Sequence, residues 1–149
     1  MFELIATLFI TAGSLLLFAY WFRYTCVLIL KTKTSRDFAG DVAVANQLNF
    51  PTVQRQLKLA GADLANLHES LDRDYSLLTY LVSHAAGRQG GVSLEDRMLQ
   101  LNYRFMGACY RVSRPFSTAA ARKALEEMSM VVGYFANVMG ERAMQGAAA

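Results

Sequence analysis

VQRQLKLAGADLANLHESLDRDYSLLTYLVSHA, residues 53–85, carries the most regular apolar pattern in the chain. Val53, Leu57, Ala60, Leu64, Leu67, Leu71, Asp74, Leu78, Leu81 and Ala85 recur in alternating steps of four and three. Such steps keep one face of an α-helix apolar over many turns, whereas a half-buried strand needs steps of two. The stretch reads as a heptad seam with one polar interruption, Asp74. Gly61 is a place for a kink or break, with Asp63 set to cap a second helix. The seam keeps its phase across Gly61, however, so one long helix to about Ala86 is expected.

On the N-terminal side, Asn49-Phe-Pro51 punctuates the chain, because proline disfavours helix in the residue before it and suits a first helical turn. Before it, Thr34 or Ser35 can cap a short helix through about Leu48, with Asp37 in its first turn and Phe38, Val42, Ala45 and Leu48 as its stripe. On the C-terminal side, Gly87-Arg-Gln-Gly-Gly91 has the length and residues of a loop that returns the chain antiparallel. Ser93 and Asp96 resemble a capping box, opening a helix to about Ser113 whose expected stripe is Leu94, Met98, Leu101, Phe105, Ala108 and Val112. Arg114-Pro-Phe-Ser117 ends it. Ser117 or Thr118 can cap a last helix with the stripe Ala121, Leu125, Met128, Val132, Phe135 and Met139. With only two prolines and many helix-favouring residues, the fold class is all-α. The expected architecture is an antiparallel bundle of three long helices plus one short one over residues 34–144, with residues 145–149 as a flexible tail.

Farther upstream lies LIATLFITAGSLLLFAYWF, Leu4 to Phe22, without a charged side chain. At about 1.5 Å per residue it reaches about 28 Å, close to the hydrocarbon thickness of a bilayer. A cleaved signal peptide carries basic residues before a shorter apolar core, whereas the early side-chain charge here is Glu3. Residues 1–33 are therefore expected to be a single transmembrane anchor with a juxtamembrane extension. Arg23, Lys31, Lys33 and Arg36 follow the span and no Lys or Arg precedes it, which predicts an N-terminus outside and a cytoplasmic bundle, in an inner membrane. Tyr20, Trp21, Phe22 and Tyr24 around Arg23 suit the headgroup level, where a guanidinium snorkels outward. Val27, Leu28, Ile29 and Leu30 stay apolar beyond that level. Either the span is longer and tilted, or these side chains and Arg23 pack on a partner subunit. Ala6 and Gly13 add small positions where a neighbouring helix could approach.

Net charge is +3 and much of it follows the anchor, so topology explains it better than nucleic-acid binding does. The distant cysteines Cys26 and Cys109 give neither a disulfide framework nor metal spacing. His68 and His84 stand about 24 Å apart along one helix and cannot share a metal within one chain. No glycine-rich phosphate cradle and no nucleophile with a nearby base is evident, so no catalytic, cofactor-binding or metal residue is assigned. Folding the helices back on one another levels Asp74 with Arg104, and Arg104 with Glu127, an expected structural ionic layer. Arg97, Arg104 and Arg111 recur every seven residues on one flank, setting register or contacting lipid headgroups or an acidic partner. The tyrosines and phenylalanines at helical spacing, Tyr75 and Tyr103 among them, are expected in the core.

The expected function is therefore non-enzymatic: an accessory or scaffolding subunit of a larger membrane complex, of the respiratory or photosynthetic electron-transfer kind. It would dock through Ala6, Gly13, Arg23 and Val27 to Leu30 and through the bundle, with other membrane subunits and the lipid bilayer as partners. The alternative is a self-associating coiled-coil membrane protein, a homo-oligomer that organises or signals.

Overall fold

In the computed structural model, which describes residues 1–32, 37–86 and 91–148, every regular element is an α-helix. The expected caps Thr34 and Ser35, and the loop at 87–90, lie outside the described residues. The chain divides into two units, Met1–Thr32 and Lys33–Ala149.

The first unit is one helix, α1 (Phe2–Lys31). Among the described residues it is the one helix long and apolar enough to cross a membrane. It does not break at Arg23. From Leu4 to Leu30 it rises about 40 Å, against about 30 Å of hydrocarbon, so the apolar run beyond Arg23 continues the same rod. Its threonine hydroxyls are satisfied internally: Thr7, Thr11 and Thr25 donate to the carbonyls of Glu3, Thr7 and Trp21 at 2.7, 2.8 and 2.9 Å. That suits a medium without other acceptors. Trp21 meets Tyr24 edge to face at 6.1 Å, and Tyr20 stacks on Tyr24 at 6.5 Å, forming an aromatic group beside Arg23.

The second unit contains α2 (Ala39–Ala45), α3 (Phe50–Leu57), α4 (Leu64–Ala86), α5 (Leu94–Ser113) and α6 (Thr118–Ala148). Its plan is radial: α2, α3, α4 and α5 all pack against α6. The expected stripe of α6 is buried at Ala121, Leu125, Met128, Val132 and Phe135, and so are Ala124, Val131, Ala136 and Gly140. A helix with partners on several sides needs this wider apolar surface. Small residues let the partners come close: a Cβ at Gly140 would overlap the Phe38 side chain. The last helix runs on through Ala148, so the stretch from Gln145, expected as a frayed tail, continues α6 as an exposed helical end.

The expected continuous helix over Val53 to Ala85 is in fact two. Gly61 takes a left-handed φ of +86°, a conformation that costs glycine no steric penalty. Asp63 Oδ1 then accepts from the Ala65 N–H at 3.0 Å and starts α4. Phe50 N–H donates to Asp74 Oδ2 at 2.7 Å. In one straight helix those residues would stand about 36 Å apart. So α3 folds back on α4, and two short helices accompany the three long ones of this unit. Six of the seam positions, Val53, Leu57, Leu67, Leu71, Asp74 and Leu78, are buried, whereas Ala60 at the break is exposed, Leu64, Leu81 and Ala85 are half-buried, and Val82 is buried beside Leu81.

The phase of α5 differs from the expected one. Leu94, Leu101 and Val112 are 75%, 57% and 69% exposed, and Phe105 is half exposed. The buried set is Asp96, Leu99, Asn102, Tyr103, Met106 and Tyr110. Leu99, Tyr103, Met106 and Tyr110 also follow four-three spacing, rotated about 150° from the expected stripe at 3.6 residues per turn. Polar partners decide between the two faces. Asp96, Asn102 and Tyr103 all find hydrogen-bond partners on α4 or α6 when turned inward. Turning the leucine face inward instead would take these side chains from Glu127, Asp72 and Arg142 on the neighbouring helices.

Candidate functional site

Three polar side chains of the long helices, Asp74, Asn137 and Arg122, are spent on the ends of short helices. Asp74, 2% exposed, accepts from the N–H groups of Asn49 and Phe50 at 2.6 and 2.7 Å, capping α3 from a distance in sequence. Burial pushes its carboxyl above the usual aspartate range, and those two hydrogen bonds and the Arg73 charge pull partly back. On α6, Asn137 Oδ1 accepts from the N–H groups of Phe38 and Ala39 at 2.8 and 2.7 Å, capping α2. Arg122 donates to the carbonyls of Leu57 and Leu59 at 2.5 and 2.8 Å, at the C-terminal end of α3. These orphan backbone groups belong to helices too short to be stable alone.

The capping box of α5 forms as its sequence indicates: Asp96 N–H donates to Ser93 Oγ at 3.1 Å, and Ser93 N–H to Asp96 Oδ2 at 3.2 Å. Asp96 also pairs with Arg142 at 3.0 Å and accepts from the Tyr134 hydroxyl at 3.4 Å, while Arg142 donates to the Val82 carbonyl at 3.0 Å. Burial, then the Asp96 charge, raises the Tyr134 phenol. This node ties α4, α5 and α6 together with its charges matched.

The ionic layer expected from the sequence does not assemble. Asp74 turns to α3, Glu127 Oε1 accepts from the Asn102 amide at 2.8 Å, and Arg104 is exposed. Seam register puts Asp74 and Arg104 at one level, but the helices carrying them stand apart: among the described residues, no Cα of α4 lies within 8 Å of α5.

That separation opens a cleft of about 280 Å³ between α4 and α5, floored by Met128 of α6. His68, Asp72 and Tyr75 line it from α4, and Tyr103, Arg104, Gly107, Ala108 and Arg111 from α5. Aromatic pairs bridge the gap that the backbones leave. Tyr75 stacks on Tyr103 at 3.8 Å with an interplanar angle of 4°, and His68 on Tyr110 at 4.6 Å and 14°. The Tyr103 hydroxyl donates to Asp72 Oδ1 at 2.8 Å, and Asp72 Oδ2 lies 3.5 Å from His68 Nδ1. Burial first, then that hydrogen bond, pushes the Tyr103 phenol far up, so it remains a donor. The Tyr75 phenol is raised by burial and eased back by the Arg104 charge. The sequence marks Tyr75 and Tyr103 only as core and His68 and Asp72 only as a polar face. The readable signal for a cleft is the small pair Gly107-Ala108 between Arg104 and Arg111.

Moving around α5 from its buried face, Tyr103 and Gly107 come first, then the exposed row Arg97, Arg104 and Arg111, then the exposed apolar stripe. Arg104 and Arg111 thus border both the cleft and the outer face. In the first unit, the expected docking residues all lie on α1. Ala6 and Gly13 are exposed, Leu28 is 54% exposed, and Arg23, Val27, Ile29 and Leu30 are partly exposed. A Cβ at Gly13 would meet nothing within 4 Å. Comparison with known proteins finds no matching family model, no similar curated protein and no similar solved structure.

Proposed function

We propose that the protein is a non-enzymatic, membrane-anchored docking subunit of a larger membrane assembly, with α1 in the bilayer and the outer face of α5 receiving a partner subunit. The observation that carries this reading is the exposed stripe of Leu94, Leu101, Phe105 and Val112, an apolar face at seam spacing on a helix that already buries its opposite side. Apolar stripes of this length on soluble surfaces mark contact sites. By charge asymmetry, the N-terminus faces outward and the helical unit lies on the cytoplasmic side of an inner membrane. An electron-transfer complex is one assembly of this type.

Self-association through the same stripe is the weaker reading. Arg97, Arg104 and Arg111 flank the stripe on one side. An antiparallel pair of α5 helices would set those arginines against their own copies, and a parallel pair would set Arg97 and Arg104 against Asn102 and Cys109. A partner helix with acidic flanks meets no such repulsion. The test places a photocrosslinking residue at Leu101 or Val112 in the full chain within its native membrane. Crosslinks to other membrane proteins, retained after mild solubilisation, are expected. A ladder containing this chain alone would transfer the reading to a homo-oligomer, and recovery as a dispersed monomer without crosslinks would sink it.

A further inference from the structure

We infer that the cleft between α4 and α5 binds a phosphoryl group, held by Arg104 and Arg111 above the Tyr75 and Tyr103 rings. Four observations support the site. Arg104 and Arg111 line the same cleft, two turns apart on one flank, with Gly107 and Ala108 between them leaving the space open. Neither guanidinium makes a hydrogen bond or ion pair among the described residues, so both forks are available. The one carboxylate in the lining, Asp72, is engaged by the Tyr103 hydroxyl and by His68. The Tyr75 hydroxyl has no hydrogen-bond partner among the described residues, and Tyr75 lines the cleft from the facing helix α4, giving a neutral donor across from the cations.

The charges facing the cavity are Arg104 and Arg111 against Asp72, with His68 adding a positive charge when protonated. The balance favours an anion. A phosphoryl group presents three oxygens that two planar guanidinium forks can share, whereas a carboxylate is filled by one fork. The volume, about 280 Å³, equals several waters' worth of liquid at about 30 Å³ each, ample for a phosphoryl headgroup. The phosphoryl group can belong to a lipid or to a soluble phosphate. The arginine row borders the exposed apolar stripe of Leu101 and Val112, so a lipid's acyl chains have an adjoining surface while its phosphate sits in the cleft. The site does not depend on a protein partner occupying that stripe.

The test uses the full chain in a neutral detergent at fixed ionic strength. It is titrated calorimetrically with inorganic phosphate, with monomeric short-chain phosphatidate and with short-chain phosphatidylcholine. Phosphatidate binding at least tenfold tighter than inorganic phosphate assigns a lipid headgroup, and equal binding of the two assigns a soluble phosphate. Either is expected to fall at least tenfold in Arg104→Gln/Arg111→Gln. Gly107→Leu, which fills the cleft while leaving both arginines in place, must also lose binding, with thermal unfolding of both variants recorded as the control. No binding of either phosphate probe overturns the inference. So does binding that survives in a folded double variant or a folded Gly107→Leu, or equal binding of the zwitterionic lipid.

Discussion

At Asp74 one carboxylate does two things that pull in opposite directions. It satisfies two N–H groups at the start of α3, and it resists ionisation because it is buried. Replacing it with alanine orphans both donors, and a loss of about 2 kcal/mol is expected. The amide introduced by Asp74→Asn would still offer one acceptor, so that variant is expected to cost about half as much at neutral pH. The pH dependence has a definite sign. Because burial raises the folded pKa, the neutral acid is the form the fold prefers. Its contribution is complete below the ordinary aspartate value and fades as pH rises through the raised one. The stability of the native protein minus that of Asp74→Asn should therefore decrease from acid towards neutral pH. Thermal unfolding of both proteins in the same detergent over that range checks it, and a difference that grows with pH would refute the burial argument. Tyr110 shows the other side of polar burial: its hydroxyl is enclosed without a hydrogen-bond partner among the described residues while its ring packs on His68. The ring's packing is kept at the expense of the hydroxyl.

Among the elements, α5 shows where reading the sequence succeeds and where it stops. The capping box at Ser93 and Asp96, the helix end near Ser113 and the start of α6 at Thr118 were all legible, because each depends on residues within one turn. The α6 stripe was legible too, since a single wide apolar face leaves no competitor. Two apolar faces on α5 did leave one. Leu94, Leu101, Phe105 and Val112 are more hydrophobic than Tyr103 and Tyr110, so periodicity alone chooses the wrong side. The deciding partners, Asp72, Glu127 and Arg142, come from other helices. The cleft was hidden for the same reason: its existence depends on how far apart α4 and α5 sit on α6. The Gly61 break was visible as an option, but the contact that settles it, from Phe50 to Asp74, is tertiary. A paired experiment separates the faces. Leu99→Ala should cost about 2–5 kcal/mol as a buried truncation, and Leu101→Ser should stay within about 0.5 kcal/mol while weakening partner crosslinking. Equal losses at the two positions would return the stripe to the core.

For the whole molecule, the radial plan makes α6 the common support of the second unit. Phe135, fully buried at its middle, also meets Tyr75 of α4 edge to face at 6.0 Å. Phe135→Ala is expected to cost about 3–5 kcal/mol. Because α2 to α5 share this support, amide protection in all four should fall together by hydrogen exchange. Loss confined to α6 and α4 would show that the helices hold one another without it. The helix that α2 to α5 all pack against follows them in the chain and is made after them. At about 5–20 residues per second, the chain from α2 to the end of α6 takes on the order of ten seconds to emerge, while a helical turn forms in under about a microsecond. During that interval α2 to α5 carry apolar faces with no α6 to cover them. The synthesis of α6, rather than the formation of any earlier helix, sets when this unit can first close, and a chain cut short before Thr118 leaves its seams open.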